Sequence, residues 1–224
     1  MLKTEIRVKK KGGLYYIVDD QTGIRQCKPW LGDAFAFLYD FIMQRSIFPK
    51  KFGGDMALHY ETLGHELQGV QGKRVLELAT GSGSAVHFLP PDNRYAGTDI
   101  SPGLLKQAVK RFRTAGFENA DFYVASADDL PFADNLFDLV LCILSLNFFN
   151  DIASVMKEVK RVMVPGAVFF CSVPVANRNR RQSKIRGTLH SEEALKQICS
   201  ARGFRFESIP CENGALFYFK AIAK

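Results

Sequence analysis

Apolar and polar residues are distributed in two regimes along the 224-residue chain. From Arg74 onward, short and nearly continuous apolar runs alternate with amphipathic stretches. RVLELAT (74–80), RYAGTDI (94–100), DFYVAS (121–126), FDLVLCIL (137–144) and AVFFCSVPV (167–175) are rich in Val, Ile, Phe or Leu, as expected of strands buried on both faces of a parallel sheet. Between them, Ser101 and Pro102 open a helix with the apolar face Leu104, Leu105, Ala108, Val109 and Phe112, ended by Gly116. A second helix from about Asp151 repeats Ile152, Val155, Met156, Val159 and Val162 and stops at VPG. A third starts at Ser191 and carries Leu195, Ile198 and Cys199 before Gly203. The tail breaks the alternation, because FRFESIPC and ALFYFKAIA are joined by ENG with no room for a helix. The parallel sheet is therefore expected to finish in an antiparallel hairpin.

The first 70 residues read differently. IRVKKKGGLYYIV predicts a small hairpin turning at Gly12-Gly13, and DAFAFLYDFIMQRSIF predicts a helix that is apolar on nearly every side. Such a helix needs cover on two flanks, and Asp40 and its length make it unsuited to crossing a bilayer. The pattern thus divides the chain into an N-terminal hairpin and helical lid, residues 1–70, and an α/β sheet domain, residues 71–224, with helices on both faces.

Composition narrows the class. At 47% hydrophobic and 24% charged, the chain can bury one sizeable core. Five cysteines (Cys27, Cys142, Cys171, Cys199 and Cys211) form no CxxC and pair with no His at ligand spacing, so neither a metal site nor a disulfide framework is expected. With no signal-peptide core and no run of about 18 apolar residues, the expected location is cytoplasmic. The net charge of +7 favours anionic partners. Among its sources is RNRRQSKIR, residues 178–186, which contains no acid.

The candidate chemistry centres on VLELATGSGSA, residues 75–85, where a strand-like run breaks into a glycine-rich turn. Glycines let a backbone approach a ligand, and the following helix start presents N–H groups to negative charge. A dinucleotide fingerprint needs a third glycine where Val86 stands, and a phosphate-cradling P-loop needs a GK[ST] that is absent. Asp99, at the next strand end, is placed to accept the hydroxyls of a ribose. Glu77 is a carboxylate within a buried run and needs a partner. Asp138 in FDLV reads as architectural, and Asp129 as a solvated loop acid.

VLELATGSGSA, GTDIS, ASADDLPFADNLFDLV, VKRVMVPGAVFF and LHSEEALKQICSARGF, in this order, resemble the class I S-adenosylmethionine-dependent methyltransferases, in particular the branch of the ubiquinone/menaquinone C-methyltransferases. The resemblance runs from about Tyr39 to the C-terminus. It implies a Rossmann-like, mostly parallel seven-stranded sheet with an antiparallel C-terminal strand. It also implies S-adenosyl-L-methionine as cofactor and S-adenosyl-L-homocysteine as product. On the matching positions, Glu77 reaches the cofactor's ammonium, and the backbone of Ala79, Thr80, Gly81 and Gly83 runs beneath its methionine portion. Asp99 takes the ribose, Ile100 packs on the adenine, and Ser126, Ala127 and Asp128 line the adenine's far end. The strand end around Cys142 closes the pocket and Tyr39 covers it. Two positions depart from the family pattern. Ala79 stands at the first glycine, and Ser126 stands where an aspartate is usual.

Methyl transfer from a sulfonium needs chiefly alignment and exclusion of water. The candidate bases His59, His65, His190, Tyr39 and Asn147 leave the catalytic residue unassigned. The expected acceptor is a small molecule, lipophilic with a polar or anionic head, with weak contact to an anionic membrane surface through the lid and the basic loop. The alternatives are a nucleic-acid methyltransferase using loop 178–186, disfavoured because SLNFF replaces an N-P-P-[YF/W] tetrapeptide, and a non-catalytic cofactor-binding module.

Overall fold

A computed structural model describes residues 2–19, 23–25, 27 and 39–224, with the backbone alone at Tyr39. Ten strands form one sheet: β1 (Arg7–Lys11), β2 (Leu14–Asp19), β3 (Gly23–Ile24), β4 (Arg74–Leu78), β5 (Arg94–Asp99), β6 (Ala120–Val124), β7 (Phe137–Ile143), β8 (Met163–Pro174), β9 (Phe204–Asn213) and β10 (Leu216–Ala223). The strand order is β1-β2-β6-β5-β4-β7-β8-β10-β9, with β3 on β2. Seven of these, β6-β5-β4-β7-β8-β10-β9, make the expected sheet, in which β4 to β8 run parallel and β10 alone is reversed. The last strand inserts between β8 and β9, so the tail hairpin closes the sheet with β10 on the inside.

The three additional strands come from the N-terminal segment. The β1–β2 hairpin turns at Gly12 and Gly13, whose φ values of 60° and 81° are those a two-residue hairpin turn requires. Strand β2 pairs in parallel with β6, Leu14 opposite Phe122, so the hairpin is continuous with the sheet. Its outer strand, RVKKK, is exposed almost throughout, and a lysine-rich edge discourages pairing with other chains.

Helices cover both faces. On one, α3 (Pro102–Thr114) buries Leu104, Leu105, Ala108 and Phe112, and Ser101 caps it by accepting from the Leu104 N–H. On the other, α4 (Ile152–Val162) and α5 (Glu192–Ser200) bury Val155, Met156, Val159, Leu195 and Cys199. The lid helix is described from Tyr39. A short α1 (Tyr39–Ile42) passes directly into a π-helical coil, Met43–Phe52, containing Pro49. Residues 33–38 of the expected helix lie outside the described residues. In the described part, Phe48 and Phe52 are buried and Phe41 and Ile42 exposed.

Helix α2 (Met56–Glu66) is not among the elements read from the sequence. Its inward stripe is His59, Leu63 and Leu67, spaced by four, all buried. A histidine in that stripe disguises the apolar period. Asp55 caps this helix through the Ala57 N–H at 2.7 Å.

Candidate active site

A cleft opens at the carboxyl ends of β4 and β7, where the strand order reverses and where ligands bind in open α/β sheets. One wall is the turn after β4, contributing Glu77, Ala79, Thr80, Gly81 and Ser82. Ile143, Leu144 and Ser145 after β7 continue the lining, and Met43, Phe48, Met56, His59 and Tyr60 of the N-terminal segment complete it.

The turn is held in a strained form. Ala79 adopts φ 50°, in the left-handed region, rather than the negative φ that would make alanine costless there. Leu144, in the lining after β7, is left-handed as well at φ 58°. Two such non-glycine residues at one cleft mark a loop that its surroundings over-determine. Gly81 and Gly83 are left-handed for different reasons. A Cβ on Gly81 would approach only the Ala79 carbonyl at 4.0 Å, so its face is open to the cleft, whereas a Cβ on Gly83 would come within 2.9 Å of Ala108 on α3. Gly83 thus lacks room because a helix, not a ligand, lies against it.

Glu77 is 2% exposed and accepts a hydrogen bond from the Tyr95 hydroxyl on the neighbouring strand β5. Burial raises its carboxyl to about 8, so at neutral pH it is largely protonated, and a cation bound beside it would favour the carboxylate. Asp99 accepts from the Gly81 N–H at 2.9 Å and from the Ser101 N–H at 2.8 Å, which pins its carboxylate between the glycine turn and the start of α3. Ile100 follows with 38% of its surface exposed. By the β5–β6 register Asp99 lies opposite Val124, which brings half-buried Ser126, buried Ala127 and exposed Asp128 to the same end of the sheet.

The strand end around Cys142 borders the cleft, though not through Cys142 itself. Cys142 is wholly buried on β7 opposite Cys171 of β8, and its successors Ile143 to Ser145 line the space instead. Asp138 accepts from the Arg74 N–H at 2.8 Å, an architectural role as read. Asp129 is half-exposed and pairs with Arg25.

Among the candidate bases, His59 alone is in the cleft wall among the described side chains. It is 1% exposed, burial lowers it to about 3, and its Nδ1 lies 2.9 Å from the Tyr218 hydroxyl. His65 is exposed beside Glu66. Asn147 is buried under loop 178–187, donating to the Arg186 carbonyl at 2.7 Å.

The clamp that holds the lid was not legible in the motifs. Asp40 accepts from Ser82 of the glycine turn at 2.7 Å and from Arg111 of α3, and Arg111 also reaches Ser82. The available signal is Arg111 itself, a charge three residues after Ala108 and thus at the edge of the buried stripe of α3. Loop 178–186 straps the lid from the other side. Arg181 donates to the Pro49 carbonyl at 2.9 Å and Ser183 to that of Lys51. Arg178 is spent on Glu192 and the Cys211 carbonyl, both at 2.7 Å.

These features fit an adenosyl amino acid. A buried carboxylate suits its ammonium, the open face of Gly81 admits its chain, Asp99 suits its ribose and exposed Ile100 its base. No group of His, Cys, Asp or Glu able to hold a metal occurs among the described residues, and no described helix is long and apolar enough to cross a membrane.

Comparison with known proteins agrees. Residues 76–171 match the model of a methyltransferase domain. The chain is 30% identical over 150 residues to a demethylmenaquinone methyltransferase of Chlorobaculum parvum, covering 65% of this chain and 60% of that one. It is 40% identical over 101 residues to the ubiquinone/menaquinone biosynthesis C-methyltransferase of Desulfotalea psychrophila, covering 44% and 40%. The chain thus spans roughly half the length of these relatives. A methyltransferase structure from Aquifex aeolicus shares the fold with a TM-score of 0.65 at 15% identity, over 86% of this chain and 98% of that one. Residues 76–171 thus match a methyltransferase domain, set in a fold shared with an S-adenosylmethionine-dependent methyltransferase structure.

Proposed function

We propose that the chain transfers a methyl group from S-adenosylmethionine to a small lipophilic acceptor with a polar or anionic head, of the quinone-precursor or phospholipid kind. The observation that carries this reading is the composition of the cleft lining from the N-terminal segment, where Met43, Phe48, Met56 and Tyr60 present apolar and aromatic surface. The relatives named for quinone methylation support the same class. Bound S-adenosylmethionine supplies an already activated methyl, so the protein's own work is alignment and exclusion of water. Glu77 and Asp99 fix the cofactor's two ends, and the Asp40–Arg111 pair closes the lid onto the turn. In this reading residues 39–66 of the N-terminal segment 1–70 act as the lid, and 71–224 hold the cofactor. Exposed Phe41, Ile42 and Phe148, with Lys50, Lys51, Arg180 and Lys184 on adjoining segments, give a rim suited to an anionic lipid surface.

Transfer of labelled methyl to a panel of quinols, phenols, phospholipids and polar metabolites tests the acceptor class, and turnover of polar soluble acceptors alone would overturn it. Calorimetry tests the cofactor site. Asp99→Ala should weaken S-adenosylmethionine binding by roughly 1.5–3 kcal/mol, the worth of hydrogen bonds to a charged group. Unchanged affinity would remove Asp99 from the site.

A further inference from the structure

The cleft lining contains one polar side chain, His59, whose tautomer the surrounding hydrogen bonds favour. The chain of inference starts at a backbone N–H, which can only donate. The Asp55 N–H gives its proton to Asn213 Oδ1 at 2.6 Å, so the amide nitrogen of Asn213 is the end that donates to the Asp55 carbonyl at 2.9 Å and to the Tyr218 hydroxyl at 3.2 Å. The Tyr218 oxygen, accepting from Asn213, has its single proton left to give, and the group it meets is His59 Nδ1 at 2.9 Å. Nδ1 is therefore the acceptor, and the ring's own proton sits on Nε2. The three residues come from α2, β9 and β10, and the junction is tight. A Cβ on Gly54 would lie 2.5 Å from Asn213 Oδ1, and one on Gly214 would lie 2.3 Å from the Phe52 carbonyl. The amide cannot turn over without breaking the Asp55 contacts, so the Nε2–H tautomer is favoured.

We propose that His59 binds the methyl acceptor, donating Nε2–H to an oxygen anion or carbonyl of the acceptor, with Tyr218 and Asn213 as the positioning residues that fix its tautomer. The proposal rests on the cleft being the site of methyl transfer. His59 lines that cleft together with Glu77, Met56 and Tyr60. A neutral N–H donor in an apolar wall suits an acceptor oxygen, anionic or carbonyl, carried on an apolar ring, and it positions the ring that carries that oxygen. With Nε2 already protonated, His59 is a donor and does not serve as the base.

Two measurements test this. Nitrogen NMR on protein labelled at its four histidines should show His59 as the Nε2–H tautomer, and Tyr218→Phe should let the Nδ1–H form appear. A wild-type Nδ1–H signal overturns the tautomer assignment. The second probe is 4-nitrophenol, followed at fixed pH by its phenolate absorbance, because Asp40, Tyr60 and Glu77 also face the cleft. Wild type and His59→Gln, which keeps a donor near the Nε2 position, should bind the phenolate, and His59→Phe should bind it about tenfold or more weakly, as loss of a hydrogen bond to an anion implies. Equal binding by His59→Phe, or no binding by wild type, overturns the acceptor role. S-adenosylmethionine calorimetry on the same samples separates the two readings. Failure of the wild type to bind the cofactor overturns the methyltransferase reading and leaves the tautomer result standing.

Discussion

On the wall proposed to hold the cofactor, Glu77, Ala79, Thr80 and Gly81 lie within five residues of one another and owe their places to one strand and the turn that follows it. On the wall proposed for the acceptor, Met43, Phe48 and Tyr60 belong to segments that turn chemistry alone does not fix, and His59 is held by Tyr218, 159 residues away. The first wall is local and made largely of backbone. The second is assembled by tertiary packing of side chains. A local wall can be broken by a single change in the turn, and an assembled wall through its distant supports.

The largest effect should come from Gly83. Gly83→Val must drive a branched side chain into Ala108 and Phe112 of α3 while holding φ near 85°. Overpacking costs roughly 1–3 kcal/mol, and the left-handed backbone adds about 1–2. Denaturant unfolding should therefore show a loss of stability before any question of binding arises. A variant that unfolds at the wild-type midpoint but fails to bind S-adenosylmethionine would return Gly83 to direct ligand contact.

The two walls should also titrate in opposite directions. Glu77 is raised from its ordinary 4.5 to about 8, so over that interval the folded chain holds a proton that the unfolded chain has released, and stability falls as pH rises through it. His59 is lowered from 6.5 to about 3, so the unfolded chain takes up a proton first and stability falls as pH drops below 6.5. Each contributes a slope of up to about 1.4 kcal/mol per pH unit within its interval. Glu77→Gln should remove the decline between about pH 5 and 8, and His59→Gln the one between about pH 6 and 4. Stability profiles of the two variants running parallel to wild type would mean that the walls are not the titrating elements.

The same division explains what the sequence discloses. The strands, the helices α3 to α5, the Ser101 cap and the glycine turn follow from periods and capping residues that act over a few positions. The reversed β10 is legible because ENG leaves no room for a crossover. Its insertion between β8 and β9 is not, since nothing local distinguishes an inner from an outer partner. Helix α2 is hidden in the sequence because His59, a polar residue whose partner Tyr218 is on β10, occupies an apolar position of its stripe. The Asp40–Arg111–Ser82 clamp joins positions up to 71 apart, and no motif spacing encodes such a contact. Which residue at the end of β7 faces the cleft is not legible, because strand periodicity does not say where β7 stops facing the core. The packing of α3 against Gly83 is not legible either, because the helix comes from further along the chain.

The smallest effect concerns strain, present at two points of the cleft lining but removable at only one. Ala79 and Leu144 adopt φ values of 50° and 58°, each costing about 1–2 kcal/mol in an L-residue. At Ala79 a glycine forfeits little packing, since alanine contributes a single methyl. Ala79→Gly should recover that strain and give back roughly 0.4–1 kcal/mol through the greater freedom of the unfolded chain. The expected net gain is about 0.5–1 kcal/mol, seen as a higher denaturant midpoint with an unchanged slope. At Leu144 the same substitution removes a partly buried side chain packed against the core, and a loss of about 2 kcal/mol, the low end for a truncated core leucine, with roughly 0.4–1 more from the freedom of glycine in the unfolded chain, outweighs the relief. Leu144→Gly should therefore destabilise where Ala79→Gly stabilises. Opposite signs from the same relief of φ would locate the difference in what each residue packs against: a backbone turn that tolerates a missing methyl, and a segment after β7 that depends on its leucine. Two changes of the same sign would show that the turn, too, depends on side-chain packing, and the contrast between the walls would fail at its simplest point.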